Sequence, residues 1–309
     1  MNTKLTVILP VYNAMPFLPA AVESILRQSF PDFVFVIVND GSFDGSEQYL
    51  TSLRDPRVEI INQANAGQGA ARNLALNRCR TEYVALMDAD DISMPDRFLA
   101  QLGYLESHPD VVMLGTQFEF LIGTVVQQAP RTPLDHEAIV ARLMKGRAGL
   151  CHPSIMFRTA TANACGGYPV GVFGEDFDFC LRMCERGHAA NLDQVLFRYR
   201  LQGGQTSMTK TKQVIHVNHY SAHIATCRRK GTPTPTLDEF LQSASLVSRA
   251  SWMLEAWELI QYRTARIQMG SGEPLRGALR MAFLGMCHPI SAIRHVGHAV
   301  RMLLKAPSL

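Results

Sequence analysis

An α/β fold built on a mainly parallel sheet flanked by helices is the architecture this sequence predicts, and three observations predict it. Short runs at Leu5–Leu9, Phe33–Val38, Arg57–Asn62 and Tyr83–Met87 read as strands, and the first, second and fourth are continuously apolar, as strands buried on both faces are. Segments with helical periodicity separate them at the spacing of right-handed βαβ crossovers. Polar residues then close three of the strands: Tyr12 and Asn13, Asp40, and Asp88 with Asp90. In parallel α/β sheets ligands sit beyond the carboxyl ends of the strands, so these residues are predicted to share one rim.

Taken in order, the first strand stops at Pro10-Val11-Tyr12-Asn13 and a helix follows over about Phe17–Gln28. The second strand ends at Asn39-Asp40-Gly41-Ser42, with Asp44 and Ser46 leading into another helix. Gly67–Arg80 reads as a helix opened by glycine. Its GQGAARN segment lacks both the GxGxxG spacing after the first strand and a GK[ST] ending, so it is not a dinucleotide or P-loop signature. It reads instead as a helix N-terminus whose amides and Arg72 face an anion; a plain turn with Arg72 solvated also fits. The fourth strand runs into Asp88, Asp90 and Asp91, ahead of a helix expected over Met94–Ser107. Crowded carboxylates repel one another, which a divalent cation relieves, and Mg²⁺ or Mn²⁺ favours carboxylate with phosphate oxygens. The same residues also fit an acidic turn, with Ser93 or Asp91 near the N-cap of that helix.

Further along, Val111–Phe120 continues the sheet, Pro130–Arg147 holds a loop and a helix, and Leu150–Arg158 returns as a strand containing His152. Glu175, Asp176 and Asp178 open a helix, where acidic residues also suit the helix dipole. A strand is expected over Asn191–Leu201, then a loop with Gly203, Gly204, Gln205 and Ser207 that reads as a lid or a linker. Val214–Lys230 and Thr236–Met269 read as helices separated by Gly231-Thr-Pro-Thr-Pro.

Composition narrows the class. A chain of 309 residues with 47% hydrophobic content can bury a full core, as one large domain or two smaller ones. Its net charge of +3 is too mild to argue for nucleic acid. Seven cysteines without CxxC pairing suggest neither a disulfide framework nor a zinc site. The N-terminal apolar run is too short for a signal peptide and no stretch reaches transmembrane length, which predicts a cytoplasmic protein. After Glu273 there is no acidic residue, while Arg276, Arg280, Arg294, Arg301 and Lys305 punctuate apolar stretches. Such basic amphipathic helices lie on an anionic membrane surface or dock as a cap on the rest of the chain.

Four segments in order, VILPVYN at 7 to 13, VNDGSFDGS at 38 to 46, NAGQGAARN at 65 to 73 and LMDADD at 86 to 91, resemble the family 2 glycosyltransferases of GT-A fold. The resemblance covers roughly the first two-thirds of the chain. It implies a catalytic domain over 1–210, with a donor-binding half to 120 and an acceptor half from 121, followed by a helical region over 211–309. It further implies that Asp40 hydrogen-bonds the nucleotide base, that Pro10, Val11 and Tyr12 line the nucleotide pocket with Arg72 nearby, that Asp88 lies near the ribose, and that Asp90 holds a divalent metal, Mn²⁺ or Mg²⁺. GEDFDFCLR at 174 to 182 resembles the family's acceptor-side motif, which makes Asp176 the catalytic base, with Glu175 as an accessory candidate; the HPS segment at 152 to 154 is similar to one ahead of the family's acceptor region, so His152 either contacts phosphate or acceptor or is satisfied within its turn. Where the family carries the histidine of a YR-x-H segment, this chain has Tyr199-Arg200-Leu201-Gln202, and Gln202 is a poorer metal ligand. The implied activity is inverting transfer from a nucleotide-sugar, most simply a UDP-sugar, to a hydroxyl of a glycan or lipid-linked acceptor in cell-surface polysaccharide synthesis. A base for the acceptor and charge neutralisation at the leaving group are what that chemistry needs. A nucleotidyltransferase or an inactive sugar-nucleotide-binding module are the alternatives.

Overall fold

A computed structural model describes residues 3–171 and 174–287. Strands and helices alternate at the start of the chain: β1 (Leu5–Val11), α1 (Leu18–Leu26), β2 (Phe33–Asp40), α2 (Ser46–Ser52), β3 (Val58–Gln63), α3 (Gln68–Leu76) and β4 (Tyr83–Leu86). There follow β5 (Ile92–Ser93), α4 (Arg97–Ser107), β6 (Val111–Ile122), β7 (Val125–Gln128), α5 (His136–Leu143), a 3-10 turn at His152–Ser154, β8 (Met156–Arg158), α6 (Thr159–Ala164), α7 (Glu175–Cys184) and β9 (His188–Arg200). The later described residues hold five helices: α8 (Thr206–Thr209), α9 (Thr211–Lys230), α10 (Leu237–Ser243), α11 (Leu246–Gly270) and α12 (Pro274–Cys287). Arg294, Arg301 and Lys305 lie outside the described residues.

The sheet runs β3-β2-β1-β4-β8-β6-β9-β5, with β7 paired to β6. Pairing is parallel from β3 through β4, as the alternation of strand and helix requires, and antiparallel where β8 meets β4 and β6 and where β5 meets β9. Side chains of β1 and β2 alternate between two apolar layers, the mark of strands covered on both faces. Leu5, Val7, Leu9, Phe35 and Ile37 join Leu18, Val22, Phe98 and Leu105 on one face. Ile8, Val36 and Val38 join Ala71, Ala75, Phe157, Phe179 and Met183 on the other.

Several boundaries differ from the sequence expectation, and three of the differences have a clear local reason. The segment 150–158 does not run as one strand. His152–Ser154 coils into a 3-10 turn and only Met156–Arg158 pairs in the sheet, because Pro153 has no N–H for a ladder. The helix expected from Met94 starts at Arg97, since Ile92–Ser93 pairs with β9 and the Met94 N–H donates to the Leu196 carbonyl at 3.0 Å. Asp91 is buried and does not cap α4, whose cap position is Asp96. The long helix expected over 236–269 breaks before Ser245, whose hydroxyl caps α11 by accepting from the Ser248 N–H at 3.1 Å.

The chain forms two compact units. The first takes residues up to Glu119, Gln128–Tyr199 and Val217–Leu237. The second takes Phe120–Gln127, Arg200–His216 and the chain from Asp238. Within the second, Trp252 and Ala256 pack with Ile215, and buried Arg266 lies over the rings of Tyr262 (5.1 Å) and Phe120 (5.7 Å) while reaching the Gln127 Oε1 at 3.3 Å. No helix among the described residues is long and apolar enough to cross a membrane.

Candidate active site

Register brings the loops after β1, β2 and β4 to one edge of the sheet: Val11 pairs with Asn39, Asp40 with Gln63, and Ile8 with Leu86, two residues before Asp88. The first two loops are laced together. The Asn13 N–H donates to Ser42 Oγ (3.0 Å), the Phe43 N–H to Asn13 Oδ1 (2.9 Å) and the Met15 N–H to Asp44 Oδ2 (2.8 Å). Asn13 has a φ of 48°, a left-handed conformation that asparagine tolerates better than most residues. Above buried Val11, Tyr12 is 48% exposed and meets the exposed Phe43 ring edge-on at 6.1 Å, so an aromatic pair stands at this rim. Pro10 lies within β1 at the base of the same loop.

Asp40 is nearly closed off from solvent, and its carboxylate accepts from Gln63 Nε2 (2.6 Å) and from the Ala66 (2.8 Å) and Gly67 (2.9 Å) N–H groups. The amides entering α3 therefore already face an anion, one supplied by the neighbouring strand.

Arg72 is the hub. It is 2% exposed, donates from Nη2 to Asp88 (3.0 Å) and to Gln68 Oε1 (3.3 Å) and from Nη1 to Glu175 (2.9 Å), and lies 5.6 Å from the Tyr168 ring centre. Burial alone lowers the pKa of a guanidinium; Asp88 and Glu175 more than offset it, so the net shift is upward and the cation is fixed. The alternative of a solvated Arg72 is thereby set aside. Two details hold α3 in place. A Cβ at Gly69 would stand 2.5 Å from the Pro169 carbonyl oxygen, so only glycine permits this approach. The Asn73 side chain donates to the Tyr168 carbonyl (2.8 Å) and accepts from its N–H (2.7 Å).

The three acidic residues that open α7 have different partners. Gly174, at φ 70°, forms the cap position, where a Cβ would come within 2.9 Å of Val217. Glu175 goes to Arg72. Asp178 goes to Arg182 (2.7 Å) and Arg228 (3.3 Å). Asp176 is half-buried beside them and takes its own helix's Phe177 N–H at 2.9 Å. Desolvation first, and then the Glu175 charge, raise its carboxyl to about 6 against the opposing pull of Arg72. That is the setting of a general base working near neutral pH.

His152 sits at the start of the 3-10 turn, almost fully buried, with Nε2 3.2 Å from the Tyr168 hydroxyl. Burial, and then the charge of Arg72, hold its pKa well below the usual imidazole value, so it is neutral. Gln202 belongs to the second compact unit, where its N–H donates to Gln205 Oε1 at 3.2 Å. The sequence reading missed Tyr168, which joins His152, Arg72 and α7. Its flanking Gly166-Gly167 and Pro169 mark a turn and carry no chemical signal.

Three carboxylates of the chain stand at this turn. Asp88 is paired with Arg72 and Asp91 is buried near Arg97. Asp90 stands half-buried in the turn between them. Among the described residues no cluster of three or more His, Cys, Asp or Glu could hold an ion by itself. The donor set fits an ion that takes most of its ligands from phosphate oxygens and water, as Mg²⁺ does, and not a closed all-protein site.

Comparison with known proteins adds to this geometry. The model of glycosyl transferase family 2 matches residues 6–164. The amylovoran biosynthesis glycosyltransferase AmsE of Erwinia amylovora is 32% identical over 187 residues, which cover 59% of this chain and 70% of AmsE. Residues 1–349 of S. aureus TarS, solved with UDP-GlcNAc, superpose with a TM-score of 0.58 at 17% identity, covering 92% of this chain and 91% of that one. The mannosyltransferase PcManGT of Pyrobaculum calidifontis, solved with GDP-Man and Mn²⁺, superposes with a TM-score of 0.56 at 16% identity, covering 98% and 81%. The likeness to these two structures shows the fold, GT-A.

Proposed function

The chain belongs to glycosyltransferase family 2, and on that premise we propose that it transfers a sugar, with inversion, from a UDP-sugar to a hydroxyl group of a glycan or lipid-linked acceptor during cell-surface polysaccharide synthesis. One observation carries the mechanism. Arg72 joins Asp88, at the end of a donor-side strand, to Glu175, next to Asp176 on the acceptor-side helix. Residues 103 apart in the chain thus bound one site.

In this reading Tyr12 and the Pro10–Val11 backbone line the pocket for the nucleotide, Asp40 addresses the base, and Asp88 with Arg72 addresses the nucleoside. Asp176 takes the proton of the acceptor hydroxyl as that oxygen bonds to the anomeric carbon. The bond from that carbon to the diphosphate oxygen breaks on the opposite face, and its electron pair leaves with the nucleoside diphosphate. A Mn²⁺ or Mg²⁺ ion held by Asp90 and the donor's phosphates would neutralise charge on that leaving group. Glu175 keeps Arg72 in place and its charge keeps Asp176 basic. His152 steadies Tyr168 beneath the guanidinium, and Gln202 is kept as an accessory candidate only. We infer a catalytic domain over 1–210 followed by a C-terminal region over 211–309. We infer a place at the cytoplasmic face of the membrane, reached through the basic C-terminal segment.

Asp176→Asn tests the role of the base. Transfer should fall by about two to four orders of magnitude, while binding of the UDP-sugar survives. Unchanged turnover would remove Asp176 from the mechanism, and joint loss of binding and turnover would point to a structural role.

A further inference from the structure

Helix α12 is apolar on two opposite sides. Gly277, Met281 and Leu284 are buried. A Cβ on Gly277 would lie 2.6 Å from the Ala265 carbonyl oxygen, so this side is seated closely on α11. At 3.6 residues per turn, Leu275, Leu279, Phe283 and Met286 fall in one sector about 80° wide on the far side. These four are between 51% (Phe283) and 75% (Met286) exposed. The stripe continues onto α11, where the half-open Trp257 ring meets Phe283 at 6.4 Å and Met253 and Leu254 are exposed. A soluble surface rarely leaves so contiguous an apolar strip uncovered without a partner.

Charge identifies the partner. Arg276 and Arg280 occupy the flank of the stripe, one position after Leu275 and Leu279; Arg276 lies 3.3 Å from the exposed Glu273 carboxylate, and from residue 274 to 309 the sequence contains no further Asp or Glu. A second copy would set two such basic flanks against each other in a symmetric contact. An acidic bilayer surface instead receives the apolar stripe among its acyl chains and the arginines among its headgroups. No helix among the described residues is long and apolar enough to cross a membrane, and an apolar stripe with basic flanks suits a helix lying in the plane of the surface.

We propose that the outer face of α12, with Trp257 at its edge, is an in-plane docking surface for an anionic membrane. This rests on the membrane contact inferred above and is independent of the sugar-transfer reading. The sequence contains two tryptophans, so the full-length Trp252→Phe chain carries Trp257 as its sole reporter. It should cosediment with vesicles containing phosphatidylglycerol, with a blue shift of Trp257 emission, and bind phosphatidylcholine vesicles more weakly. Added salt should weaken the binding. Leu279→Glu/Phe283→Glu should reduce the partition coefficient by about tenfold or more, and Arg276→Gln should lower the preference for anionic lipid, with UDP-sugar binding kept in both. Vesicle binding unchanged in the double variant overturns this face and leaves the membrane contact standing elsewhere. No binding to either vesicle removes both. A dimer in sedimentation velocity that the double variant dissolves assigns the stripe to a second copy instead.

Discussion

Glu175 and Asp176 are adjacent in sequence and differ in fate. Glu175 is held by a buried guanidinium 2.9 Å away, whereas Asp176 stays half-buried with its carboxyl raised to about 6 from the ordinary 3.8. Two consequences can be measured. Transfer activity should rise with pH through about 6 as Asp176 loses its proton, and a profile flat from about pH 5 to 8 would contradict the assignment. Stability should move the other way. A carboxyl whose folded pKa is raised binds its proton more tightly in the folded chain, so its contribution is full below the unfolded value and disappears as pH climbs through about 6. Asp176→Asn is therefore expected to stabilise the ligand-free protein by on the order of 1–3 kcal/mol at neutral pH and to be nearly neutral at about pH 3; denaturation at the two pH values checks the sign. Two separate motifs made Asp88 with Asp90, and Asp176, visible in the sequence as candidates. The Arg72–Glu175 pair was not, because nothing local relates residues so far apart in the chain. Nor was Asp40's grip on the Ala66 and Gly67 amides, which depends on β2 and β3 lying side by side.

Helix α7 delivers Asp176, and apolar packing seats it. Phe179 is fully buried, stacks on Tyr168 at 4.1 Å and meets Phe157 edge-on at 5.3 Å. Phe179→Ala should cost roughly 3–5 kcal/mol of stability. It should also weaken donor binding, because Tyr168 lies against the Arg72 guanidinium; a loss below about 1 kcal/mol would mean that the helix is seated by other contacts. At this scale the early strands and helices were legible because their apolar runs are continuous and their turns carry Gly, Asn and Asp. The short pieces were not. The two residues of β5 pair only because β9 returns beside them, and β8 is cut to three residues by a proline turn. Tertiary partners decide such elements, and periodicity over so few residues cannot.

For the whole molecule, a GT-A sheet gathers Tyr12, Asp40 and Asp88 at one rim of its parallel strand ends, where the donor is proposed to bind, and the fold returns α7 to that rim from later in the chain. The proposed metal site belongs at this scale, since Asp90 and the phosphates of a bound donor would hold the ion together. The measurement that bears most directly on the central claim is thermal unfolding of the full chain against a panel of nucleotide sugars, with and without Mn²⁺, in wild type and Asp90→Ala. A ligand that binds only the folded state raises the melting temperature by mass action. A UDP-sugar should stabilise the wild type when Mn²⁺ is present, and the metal-dependent part of that shift should vanish in Asp90→Ala. If no nucleotide sugar stabilises the wild type with metal, or if Asp90→Ala responds like the wild type, the donor site described at this rim is contradicted.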